Sequence, residues 1–149
     1  MIKSTMATKP KPIEISIRRV CVGNKKLVCR TVPHGLNSKM HWAKKHEWDN
    51  AWKAQVFWLI REKGWIVRQM EYARIEIELK SVQPQDKDNA YGSVKPLVDA
   101  TKGFVIEDDN QDQLDLIVRS VRVNRRSDEG VKIRITELDS KWKEASEIL

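Results

Sequence analysis

Between Ser38 and Lys63 the chain runs without a proline or glycine, and Trp48, Ala51, Trp52, Val56, Leu59 and Ile60 recur at three- and four-residue steps. That period lines them along one side of a long α-helix, a stripe that has to be buried against another element. Gly64 is placed to end it. Trp58 falls off the stripe and is the better candidate for an intermolecular contact, whereas a tryptophan on such a stripe is usually core. The flanking segments carry the other period. IEISIRRVCV alternates at Ile13, Ile15 and Ile17 and again at Val20 and Val22, YARIEIELKSV at Ala73, Ile75, Ile77 and Leu79, and VKIRITEL at Val131, Ile133 and Ile135, with a further strand pattern from Leu114 to Val123. Alternation of this kind marks half-buried strands. KLVCRTV, after the turn Gly23-Asn24-Lys25-Lys26, makes a hairpin with the first of them. Ser93 can cap a short helix over 94–102 that Gly103 closes.

The predicted fold class is therefore α/β (α+β): one domain with a mixed sheet of about four to five strands, packed against one long and one short helix. A chain of 149 residues suits one domain. Residues 1–12, with Pro10 and Pro12, read as a flexible basic arm, 13–149 as the domain, and the tail after Asp139 as helical or frayed. No apolar run approaches the ~20 residues that span a bilayer. The N-terminal lysines have no apolar segment behind them, so the expected setting is cytoplasmic, without membrane. Cys21 and Cys29 lack zinc-ligand spacing and sit among apolar neighbours, which predicts small core residues.

Charge is distributed unevenly. From Gln85 to Ile117, eight carboxylates against Lys87, Lys95 and Lys102 leave a net −5, so the rest of a chain of net +7 carries +12. A pI near 9.5 is the footprint of a nucleic-acid binder. An acidic island inside such a protein makes sense if divalent cations neutralise it while the basic remainder grips a polyanion. Asp86 and Asp88, at the expected end of a strand, project from one face of extended chain and can converge on one ion. Asp108 and Asp109 return after a short helix to supply a third carboxylate, a usual protein share of a magnesium site. Lys95 can reach the same place and offset charge developing on a phosphate. Taken singly, each motif has a plainer reading: a turn at Asp86-Lys87-Asp88-Asn89, a solvated loop at Asp108-Asp109-Asn110, and an i, i+4 helix pair of Lys95 with Asp99.

The run Asp86-x-Asp88-Asn89, Lys95-Pro96-x-x-Asp99-Ala100, Gly103 and Asp108-Asp109 resembles the RusA family of Holliday-junction resolvases, and GLNSKMHWAKK, Gly35 to Lys45, looks like that family's entry into its first long helix. The resemblance is specific over 84–117 and looser elsewhere. It implies a homodimeric nuclease dependent on magnesium or manganese, of a kind often carried by phages and prophages. Such an enzyme cuts four-way DNA junctions by paired symmetric nicks, in recombination and repair. Residue by residue, it implies Asp86, Asp88 and Asp109 as metal ligands and Lys95 as the catalytic lysine. Asp108 is the alternative third ligand, and Asn89 and Asp99 support the site. The family has about two residues between the DN pair and the lysine, where AYGSV here supplies five, which makes Lys87 a substitute for Lys95. Paired basic residues, Lys25, Lys26, Lys44, Lys45, Arg125 and Arg126, are the candidates for DNA contact. Two rival functions stay open: a nuclease for flaps, forks or other branched DNA, and a non-catalytic nucleic-acid-binding module.

Overall fold

A computed structural model describes residues 11–35, 39–63, 69–110 and 112–139. Most of the expected arm, Gly64 and the tail beyond Asp139 lie outside them. Strands β1 (Ile13–Ile17), β4 (Ala73–Ser81), β5 (Leu114–Arg122) and β6 (Gly130–Glu137) form a mixed sheet in the order β1-β6-β4-β5. β6 is antiparallel to both its neighbours, while β4 and β5 run parallel. A separate hairpin pairs β2 (Val20–Val22) with β3 (Val28–Arg30). Helix α1 (Trp42–Glu62) is the long one, and α2 (Lys87–Ser93) and α3 (Lys95–Asp99) are short. The architecture is thus the single α+β domain expected.

The stripe on α1 behaves as its period requires. Trp48, Trp52, Val56 and Ile60 are buried, and they meet the face of the sheet formed by Ile13, Ile15, Ile17, Ile75, Ile77, Val131, Ile133 and Ile135. Burying side chains of this size stabilises the fold by roughly 1.5–3 kcal/mol each. Trp58 is 59% exposed, with the Arg61 guanidinium 5.8 Å from its ring centre. The opposite face of the sheet is a charge ladder. Arg74 meets Asp115 at 2.8 Å, Arg119 meets Glu76 at 3.6 Å, and Arg134 meets Glu14 at 3.4 Å. Part of the +12 remainder is therefore neutralised across strands, leaving less of it to grip a polyanion.

Four local expectations are corrected. IEISIRRVCV is two strands rather than one, with Arg18-Arg19 between them. Its buried positions shift phase there, from 13, 15 and 17 to 20 and 22, so the chain changes sheet. The cysteines are not core: Cys21 and Cys29 face each other across the hairpin, 4.0 Å apart at Cα, and form a disulfide. Paired cysteines are uncommon in reducing compartments, so this bridge pulls against the cytoplasmic expectation. Helix α1 starts at Trp42, not Ser38, with His41 as N-cap accepting from the Ala43 N–H at 3.2 Å. Finally, the helix expected over 94–102 is replaced by α2 and α3, hinged at Val94, and Ser93 ends the first instead of capping the second. Its buried hydroxyl donates to the Ala90 carbonyl at 2.7 Å. Among the described residues no helix is long and apolar enough to cross a membrane.

Candidate functional site

Every acidic residue singled out in the sequence lies in the crossover, residues 82–113, that carries the chain from the end of β4 to the start of the parallel β5. A parallel pair needs such a long connection, and here it is pinned at both ends. At the start, Glu129 accepts from the Val82 N–H at 2.8 Å, the Thr31 hydroxyl at 3.0 Å and the Ser81 hydroxyl at 3.2 Å. The Val82 N–H foremost, with the two hydroxyls, holds the Glu129 carboxyl below the usual carboxylate range. Gln85 Nε2 then donates to the Pro33 carbonyl at 3.0 Å. At the far end, the Met70 N–H donates to Val105 at 2.7 Å and the Glu107 N–H to Met70 at 3.0 Å, which fixes where Asp108 and Asp109 emerge. Gly103, at φ 77°, makes the reversal between α3 and that segment, a conformation that costs glycine nothing.

The aspartates do not sit as extended chain would put them. β4 stops at Ser81, and Asp86 is the N-cap of α2, its Oδ1 accepting from the Asn89 N–H at 2.8 Å. Asp88 lies in the first turn of α2, where a negative charge suits the helix dipole. These positions explain both residue types without a ligand. The side chain of Asn89 packs on Gly35: a Cβ there would lie 2.7 Å from Asn89 Oδ1. The entry to α1 and the start of α2, far apart in sequence, are thereby brought into contact.

AYGSV is not a loop. It continues α2, and Val94 keeps helical dihedrals of φ −89° and ψ −1° before α3 begins. Asp88 and Lys95 are therefore about two helical turns apart, roughly 10 Å along the axis. Lys95 is 75% exposed at its side chain and meets Asp99 at 3.6 Å, the ordinary helix pair. With Tyr91 and Asp109, these two line a cleft of about 260 Å3 against β5, where the Tyr91 hydroxyl donates to the Leu116 carbonyl at 3.3 Å. Asp109, and not Asp108, faces that cleft. Asp108 turns back on its own loop, accepting from the Asp109 N–H at 2.7 Å and from Asn110 Nδ2 at 3.1 Å. The Asp109 N–H, then Asn110, holds the Asp108 carboxyl low. Lys102 bridges the two, 3.3 Å from Asp109 and 3.5 Å from Asp108, and its ammonium is held up chiefly by Asp109. Sequence reasoning passed over Lys102, although two adjacent aspartates needing a counter-ion were the signal.

The donors fit magnesium in kind, since that ion takes carboxylate oxygens, often only one or two, and keeps its waters. Their placement divides them. Asp86 and Asp88 stand at the start of α2, and Asp99 and Asp109 line the cleft. Among the described residues no three of His, Cys, Asp or Glu are gathered closely enough to hold a metal ion.

The basic candidates are scattered. Lys25 and Lys26 are exposed in the β2–β3 turn, and Arg125 and Arg126 border the 3-10 turn Arg126–Asp128. Lys44 and Lys45 are paired on α1, with Glu47 at 3.3 Å and Asp49 at 2.9 Å. A groove of about 700 Å3 at one end of the sheet brings together Arg18, Lys80 and Arg122, none of them singled out by the sequence because they come from three different strand ends. Compared with known proteins, the chain matches no family model and no curated sequence.

Proposed function

We propose that this protein is a magnesium-dependent endodeoxyribonuclease that resolves four-way DNA junctions by paired symmetric nicks, acting as a homodimer because two cuts need two sites. The observation that supports it is the contact of Gly35 with Asn89, since the two segments that resemble the RusA family thereby share one locality. Lys95, Asp99 and Asp109 bordering one cleft is a second support.

In this reading Asp86, Asp88 and Asp109 would hold the ion, with Asp108 as the alternative to Asp109; manganese would serve as well. A bound ion of this kind lowers the pKa of an attacking water and steadies charge on the phosphodiester. The chain's own contribution is positional. Lys95, mostly exposed and only loosely paired with Asp99, can swing its ammonium onto a phosphate oxygen at small cost, because exposed ion pairs are worth under about 1 kcal/mol. Lys102 keeps Asp109 oriented until substrate arrives. The acidic crossover repels DNA unless it is neutralised, so binding and cation uptake are coupled.

The test is junction cleavage with and without magnesium, comparing the parent with Asp86→Asn plus Asp88→Asn. Asparagine still caps a helix well, so the variant keeps its fold. It should bind junctions as tightly as the parent or more so, and cleave them at least a hundredfold more slowly. Parental cleavage by the variant in magnesium rules the site out. A flap, a fork and a linear duplex run alongside distinguish a junction enzyme from a broader structure-specific nuclease. A non-catalytic nucleic-acid-binding module is the second reading, favoured by Asp86 serving as a cap and by the absence of a three-carboxylate group among the described residues. It predicts steeply salt-dependent binding with no magnesium-dependent nicking.

A further inference from the structure

Behind the crossover, α1 and the short helices enclose a second pocket of about 200 Å3. It takes its walls from Trp48 and Trp52 on α1, from Pro33 and His34 ahead of α1, and from Pro96 on α3. Three lysines reach it: Lys45 and Lys53 from α1 and Lys95 from α3. Two of these are already paired, Lys45 with Asp49 at 2.9 Å and Lys95 with Asp99 at 3.6 Å. Lys53 faces no acid within ion-pair distance among the described residues, so the rim keeps a net positive charge.

The walls hold two buried polar atoms that the protein does not satisfy. Trp52 is 1% exposed, yet its Nε1–H has no hydrogen-bond partner, and neither has Nδ1 of His34. Native proteins pair almost all such groups, and an orphan costs about 1–3 kcal/mol. His34 is neutral at physiological pH, because burial and then Arg30 push its imidazole down to about 4. The ring of Trp48 packs on it edge-on at 5.2 Å. A volume of 200 Å3 equals about seven waters of bulk liquid, room for one heteroaromatic ring and little more.

Aromatic and proline walls, an unsatisfied donor and a cationic rim describe a flat polar ring bearing an anion. We propose that this pocket takes one nucleotide unit, its base against the tryptophans and its phosphate at Lys53. The unit is either a free nucleoside monophosphate or a base unstacked from a strand whose backbone passes Lys95. Stacking on an aromatic platform is worth about 1–3 kcal/mol per base, enough to hold an unpaired base. The proposal rests on the nucleic-acid reading and not on catalysis, so it holds for a nuclease or a binder.

The experiment uses the full chain without metal and has two arms. The first titrates 2-aminopurine deoxyriboside 5′-monophosphate, and the second a short single strand carrying one 2-aminopurine, each followed by the probe's fluorescence. Saturable quenching is expected in at least one arm, and which arm responds identifies the source of the unit. Lys53→Ala, an exposed-rim change, should weaken it about tenfold, the size of one lost charge-assisted contact. Trp52→Phe, which removes the N–H and keeps the ring, should weaken it severalfold. Inorganic phosphate alone should compete poorly. No saturable signal in either arm, parental affinity in both variants, or displacement by phosphate as effective as by nucleotide overturns the pocket. Junction cleavage that persists in the absence of any 2-aminopurine signal rejects the pocket and leaves the nuclease reading standing.

Discussion

Replacing both cysteines, Cys21→Ser with Cys29→Ser, tests the hairpin bridge. The bridge closes a short loop, with a sequence separation of 8. In the chain-entropy description, closing a loop of that size removes about 8 cal/mol/K from the unfolded ensemble, or about 2.5 kcal/mol at 25 °C. Little else holds β2 to β3, which share three residue pairs. The hairpin nevertheless belongs to the cooperative unit, because Val20 and Val22 are buried and β2 packs against α1. Its loss should therefore register in global unfolding. At about 2.1 cal/mol/K of unfolding entropy per residue, 2.5 kcal/mol in 149 residues corresponds to a fall in Tm of about 8 °C. The measurement is a thermal melt of parent and variant followed by circular dichroism, with the parent repeated in excess dithiothreitol. The reduced parent should match the variant. Thiol titration of the unfolded, unreduced parent should find no free thiol. Two free thiols there, or a variant that melts with the parent, refutes the reasoning.

Gly35→Ala should destabilise by about 1–3 kcal/mol in urea unfolding, since its Cβ meets the Asn89 amide, and Asn89→Ala in the same chain should restore much of that loss. Asp86→Ala should cost about 1 kcal/mol through loss of the α2 cap, while Asp86→Asn costs a few tenths at most, both read from denaturant midpoints. His34 has its folded pKa pushed down to about 4 from 6.5, so the unfolded chain binds the proton more readily between those values. Its contribution is fully present above pH 6.5 and is lost as pH falls toward 4; His34→Gln should flatten that part of the stability profile relative to the parent, measured by melts from pH 7.5 to 4.

Where one physical signal governed, the sequence was readable. The period of α1 fixed its buried residues, and β4 and β6 came out at their alternating positions because one face of each must be covered. Lys95 with Asp99 was legible as a helix pair from spacing alone. Two signals competed at Asp86-Lys87-Asp88-Asn89, where strand alternation and a helix cap both accommodate the same letters; the cap prevailed because β4 had already ended at Ser81. AYGSV, with a glycine and a serine, looked like a loop, and tertiary packing of Ala90 and Ser93 carried it into a helix. The cysteine pair was hidden by their apolar neighbours, and only the hairpin register sets them opposite each other. Long-range juxtapositions, Gly35 on Asn89 and Lys102 between Asp108 and Asp109, had no local signature at all.

The parallel seam between β4 and β5 has a consequence for motion. β5 is an edge strand, bonded to the sheet on one side only, and the whole crossover hangs between it and β4. The antiparallel trio β1-β6-β4 keeps its ladders if β5 peels away. Native-state amide exchange should then sort the chain into two opening units, with β5 and the crossover exchanging together at a lower free energy than the trio. All the carboxylates in question belong to the looser unit, so whatever they bind acts as a clasp on that seam and should slow exchange along β5 as well as at the aspartates themselves.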